Sequence, residues 1–155
     1  MLREATTRPR TTLATTVGTL AVLYAVTFFL GALLHLGLRI PLGLAVLAEP
    51  RIIPATIVEG LCGLGLAIGA YAVLTGRGWA WSAVTGAHAF ALGGVLLGIT
   101  ALALGAGPST ELNTVYHRVM LVALVAGMIV LLTPVARAAL GRGDREQVLA
   151  RTERR

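Results

Sequence analysis

The residues able to do chemistry in this chain are few. Its 155 residues include three histidines (His35, His88 and His117) and one cysteine, Cys62. Glu59 interrupts an otherwise apolar run, and Arg118 directly follows His117. An imidazole can relay a proton or ligate a metal, and a carboxyl group can pair with it in either task. No His-x-x-x-His or His-x-x-Glu spacing occurs, so any metal site must be assembled from separate segments. One cysteine allows neither an intramolecular disulfide nor a Cys-x-x-Cys pair, which excludes a thiol–disulfide oxidoreductase acting alone.

The elements that must position these residues are membrane helices. Hydrophobic residues make up 56% of the chain and charged residues 13%, with 19 glycines in addition. A soluble domain carries about 25% charged residues, so this chain cannot cover itself with polar surface. A soluble enzyme, a disulfide scaffold and a disordered binder are excluded together. Four apolar stretches, at about 13–38, 54–75, 79–104 and 114–136, each exceed the ~20 residues that cross a bilayer as helix. The expected fold is an all-α integral membrane protein, a four-transmembrane-helix bundle over residues 1–137 with a charged tail at 138–155.

Orientation follows from arginine, the only basic residue apart from histidine. With both termini cytoplasmic, ten arginines lie inside: Arg3, Arg8, Arg10, Arg77, Arg137, Arg142, Arg145, Arg151, Arg154 and Arg155. Three lie outside, namely Arg39, Arg51 and Arg118. That asymmetry fits the positive-inside rule and a bacterial cytoplasmic (inner) membrane, and it disperses the +6 net charge too widely for a nucleic-acid surface. Trp79 and Trp81 then fall at the inner interface.

Depth along each helix sorts the ionisable groups. At ~1.5 Å per residue, His35, Glu59 and His117 fall within roughly 5–8 Å of the outer helix ends. His88, nine residues past Trp79, falls ~14 Å along the axis and near the midplane. Three helices thus offer His, Glu and His at one outer level, with Cys62 a turn below Glu59 and Arg118 nearby. Tyr24, Thr27, Phe28, Gly31 and His35 form the inward stripe of the first helix, and Asn113, His117, Leu121 and Leu124 that of the fourth.

Four readings of this cluster stay open. In the first, Glu59 pairs with Arg118 or a histidine and locks helix order as a polar network. In the second, His35, His117 and Glu59 hold Zn²⁺ or a similar ion. The third is haem b between His35 and His117, as in a haem- or quinone-linked redox subunit, with Arg118 either suited to a quinone oxygen or a phosphate or snorkelling outward. The fourth is a transporter-like protomer with a proton or solute path through Glu59 and His88. For His88 the simplest expectation is a bond to a Ser or Thr hydroxyl on another helix. The overall expectation is an accessory or structural subunit with an outer-leaflet polar cluster, in a homo-oligomer or beside a membrane partner.

Packing and loops complete the reading. Gly65/Gly69 and Gly94/Gly98 form two G-x-x-x-G pairs, which predict close backbone approach between helices or across a dimer face. Gly76-Arg77-Gly78 predicts a tight turn, and Thr133-Pro134 predicts a kink late in the fourth helix. The segment between Arg39 and Ile53 is either a short interfacial helix or a plain loop. Gly-Pro-Ser-Thr at 107–110 predicts a turn and then a helix N-cap. The four-span layout resembles small DoxX-like bacterial membrane proteins, whereas Ala87-His88-Ala-Phe-Ala-Leu-Gly-Gly and Asn113-Thr-Val-Tyr-His117-Arg118 match no functional motif. More distantly it resembles four-helix haem b cytochromes. The resemblance concerns layout and assigns no residue a role.

Reporter fusions check the orientation. A fusion after Arg155 is expected to report cytoplasm and one after Ser109 the opposite side; a C-terminal fusion active in the periplasm would contradict the four-span topology.

Overall fold

The structure, a computed structural model, describes residues 12–108 and 110–141. Long runs of Ala, Leu, Val and Gly carry no interior proline, and four of them form helices: α1 (Thr12–Leu36), α2 (Ile53–Leu74), α3 (Ala80–Ala103) and α4 (Glu111–Leu131). All four are long and apolar enough to cross a membrane. The first three match the predicted spans within two residues at each end. The fourth begins three residues early because Thr110 caps it, its hydroxyl accepting the Asn113 N–H at 3.0 Å. It also stops early. The predicted kink is a full break, with Thr133 capping a separate short helix, α5 (Pro134–Leu140). Arg3, Arg8, Arg10, Ser109 and the expected tail beyond Gly141 lie outside the described residues.

The segment after α1 is neither of the two forms expected from sequence. It folds as a β-hairpin, with β1 (Arg39–Pro41) antiparallel to β2 (Val46–Ala48) in register Ile40↔Leu47. Gly43 takes φ +73° at the first central position of the turn, where type II′ hairpins favour glycine. The hairpin returns onto the C-terminus of α1. Gly37, at φ +113°, ends the helix as Gly37 N–H and Leu38 N–H bond to the Leu34 and Leu33 carbonyls. The next two carbonyls accept from the returning strand: His35 O from the Ile52 N–H and Leu36 O from Arg51 Nε. Every carbonyl of the last turn of α1 therefore has a donor.

Consecutive helices pack as neighbours, α1 on α2, α2 on α3 and α3 on α4. The seam between α1 and α4 is wider and is filled by aromatic rings, with Phe28 edge-on to Tyr116 at 6.2 Å. One apolar cluster joins Val17, Ala21, Val73, Val84, Leu131 and Leu140 near the end where the described chain begins and stops. A second joins Phe28, Cys62, Leu66, Ala91, Val95 and Leu124 toward the hairpin end. The outward faces are as apolar as the inward ones, with Val26, Leu97 and Val122 exposed by more than half. A surface of that kind suits lipid, not water.

The two G-x-x-x-G pairs do different work. Only Gly69 brings backbones together: a Cβ there would lie 3.0 Å from Val84 Cα. Gly65 makes ordinary contact with Ala87, and Gly94 and Gly98 lie against side chains of α2 and α4. Gly69, Gly94 and Gly98 are thus used inside the chain and do not form a free face. At the opposite end from the hairpin, Trp81 does more than sit at an interface. Its indole N–H donates to the Leu131 carbonyl at 3.0 Å, and the Arg137 guanidinium lies 4.7 Å from its ring.

The Gly69 contact has a direct test. Gly69→Val should lower the thermal midpoint in detergent by the equivalent of about 1–3 kcal/mol, as overpacking does. Gly86→Ala, where nothing lies within 4 Å, should not. Equal midpoints for the two variants would remove Gly69 as the α2–α3 contact.

Candidate functional site

The polar residues converge at the hairpin end. His35 on α1, Glu59 on α2 and His117 on α4 are all buried, as is Asn113 one turn before His117. His35 Nε2 lies 4.0 Å from Glu59 Oε1, which is an ion-pair approach but too long for a hydrogen bond. Both carboxyl oxygens of Glu59 are buried and neither has a hydrogen-bond partner. Of the two pairings expected for Glu59, the structure supplies the histidine and not Arg118.

Arg118 is exposed, because successive helical residues are separated by about 100° and His117 occupies the inward position. It is not part of the cluster.

Each histidine is oriented by a backbone carbonyl. His35 Nδ1 donates to Pro50 O at 3.0 Å, His88 Nδ1 to Val84 O at 2.9 Å and His117 Nδ1 to Asn113 O at 2.8 Å. A carbonyl only accepts, so Nδ1 carries the proton, and Nε2 of each neutral ring presents a lone pair. His88 therefore bonds within its own helix, not to a hydroxyl on another one. It lies deeper than the cluster, edge-on to Tyr24 at 5.8 Å.

Glycine makes the space for these groups. A Cβ on Gly31 of α1 would lie 2.6 Å from Glu59 Oε2. One on Gly98 of α3 would collide with His117 Nε2, and one on Gly127 of α4 would lie 3.1 Å from the His88 ring. In each case a glycine on the neighbouring helix forms a socket for one buried polar side chain.

Two cavities meet at the cluster. The larger, about 310 Å³, lies among α2, α3 and α4, with walls that include Ala55, Val58 and Leu97. The smaller, about 120 Å³, lies between α1, β2 and α4 and is bordered by Leu47, Glu49 and Tyr116. His35, Glu59 and Asn113 line both. Glu49 was not evident from sequence. The hairpin places its carboxylate against Thr110, whose hydroxyl is 2.8 Å from each oxygen, at the N-terminus of α4 where the helix dipole favours an anion. Tyr116 also escaped sequence reading, although its buried hydroxyl has no partner.

The geometry fits the four readings unequally. A polar network is present but incomplete, since Glu59 has no hydrogen bond. Among the described residues no group of three His, Cys, Asp or Glu side chains is arranged to hold a metal, so His35, His117 and Glu59 share a cavity without forming a ligand set. Axial ligation of haem needs two Nε2 lone pairs aimed at one iron. Here one faces Glu59 and the other abuts the α3 backbone at Gly98.

The sockets can be tested by coupling. Gly98→Ala should destabilise the bundle by about 1–3 kcal/mol. In the double variant with His117→Ala much of that loss should vanish, leaving a coupling of roughly 0.5–3 kcal/mol measurable by thermal denaturation. If Gly98→Ala melts like Gly93→Ala, whose added Cβ would meet nothing within 4 Å, His117 does not occupy that socket.

No family model, curated protein or solved structure matches the chain, so the functional reading rests on these residues and their geometry.

Proposed function

We propose that this chain is a four-span protein of a bacterial inner membrane, with both termini cytoplasmic, that binds a small, mainly apolar molecule in its hairpin-end cavity. In this reading the hairpin end faces outward and the protein is an accessory subunit that presents or senses its ligand. The arginine asymmetry supports the orientation, and the four apolar helices support the membrane setting.

One observation carries the binding role. Glu59 is 5% exposed, neither of its oxygens is bonded, and it borders a cavity of about 310 Å³. An ionisable group left unsatisfied inside a span is expensive, and a protein that needed it only for helix packing would give it a partner. Ligand pockets combine apolar walls with a few convergent polar groups, and the cavity has both.

Filling the cavity tests the role. Ala55→Phe should place a ring in the void and leave the bundle folded. A neutral indole alcohol, tryptophol, should raise the thermal midpoint of the wild type and not that of Ala55→Phe, because a ligand stabilises the state that binds it. If tryptophol stabilises both equally, it acts elsewhere and the cavity is not a binding site.

A further inference from the structure

The geometry points to an organic cation as the occupant: an ammonium nitrogen seated between Glu59 Oε1 and His35 Nε2, with its apolar body in the larger cavity. This rests on the cavity reading above and adds the chemical class of the ligand.

Charge is the first ground. Glu49 and Glu59 both border the smaller cavity, and Glu59 borders the larger one too. Among the described residues no arginine answers them, and His35 is the one basic side chain in ion-pair reach of Glu59. Arg39, Arg51 and Arg118, the described arginines at this end, are all exposed, and Arg51 Nε is bonded to the Leu36 carbonyl. A ligand cation, or a proton on Glu59 or His35, would supply the countercharge.

Hydrogen-bonding capacity is the second ground. The unfilled acceptors are both oxygens of Glu59, and a neutral His35, its Nδ1–H bonded to Pro50 O, offers Nε2 as a third. The side-chain donors nearby are the Tyr116 hydroxyl and the Asn113 amide. A ligand rich in N–H donors fits this imbalance better than one rich in carbonyls.

Distance is the third ground. Oε1 and Nε2 are 4.0 Å apart, too far to bond each other. With bonds of ~2.8 Å to each, one ammonium nitrogen would subtend an angle of roughly 90° between them, near the tetrahedral angle of its own N–H bonds. Apolar walls at Val58 and Leu97 then leave room for a hydrocarbon or aromatic body.

The same ammonium chemistry is available from a free lipophilic amine and from an aminophospholipid headgroup. Tryptamine and tryptophol separate charge from shape, because they share an indole-ethyl body and differ in ammonium against hydroxyl. Binding is measured on the full chain in phosphatidylglycerol nanodiscs. Tryptamine should bind about tenfold or more tightly than tryptophol, the difference expected when one hydrogen bond becomes charge-assisted. Glu59→Gln should erase that preference. Repeating the titration with phosphatidylethanolamine added assigns the source: weakened tryptamine binding points to the lipid headgroup, and unchanged binding to a free amine. Equal affinity of the wild type for tryptamine and tryptophol would overturn the cation while leaving the cavity reading intact. Binding of neither would overturn both.

Discussion

A polar side chain inside an apolar helix bundle needs volume first and a bond second. Glycine supplies the volume. Gly31 faces Glu59 across the α1–α2 interface, and Gly98 faces His117 and Gly127 faces His88 across the α3–α4 interface. These positions couple helix register to the chemistry of the site, because a slide of one residue would replace a socket with a Cβ. In a bilayer this matters more than in water, since lipid gives helices no hydrophobic reason to associate and close packing must do so. The bundle is thus keyed by its polar residues, and Gly69 against Val84 supplies the one close backbone contact among the four paired glycines.

The second requirement, a bond, is met unevenly. All three imidazoles donate Nδ1–H to a backbone carbonyl, which fixes the ring and leaves Nε2 outward. Asn113 connects the histidine of α4 to the hairpin: its carbonyl accepts from His117, its N–H donates to the Thr110 hydroxyl, and that hydroxyl donates to Glu49. This chain of bonds ties the residue after β2 to the start of α4 beside the smaller cavity. Glu59 stands outside it. Glu59 and the Tyr116 hydroxyl are left unsatisfied beside the smaller cavity, and the carboxyl, the costlier of the two to bury, is the feature that calls for a ligand.

Much of this was legible in the sequence, for definite reasons. Twenty-residue apolar runs allow little besides helix, so the first three spans were readable to within two residues. The inward stripe of Phe28 and His35 on α1 and of His117 on α4 followed from the 3.6-residue period, and Cys62 beneath Glu59 followed from the same spacing. Of the two placements open to Arg118 the outward one holds, because adjacency in sequence is not adjacency on a helix. The hairpin was hidden because Pro41 and Pro50 read as breaks, although Gly43 within an apolar run was its available signal. Glu49 could be connected to the site only once that hairpin was known. The pairing of each glycine with a polar side chain lies between helices and leaves no trace in the spacing along any one of them.

The most direct measurement is a density map of the protein taken from its own membrane into lipid nanodiscs. Non-protein density is expected in the larger cavity within hydrogen-bonding distance of Glu59, with Gly31 still opposite the carboxyl group. A cavity closed by its own side chains, with Glu59 turned toward lipid or bonded to another residue of the chain, would contradict it.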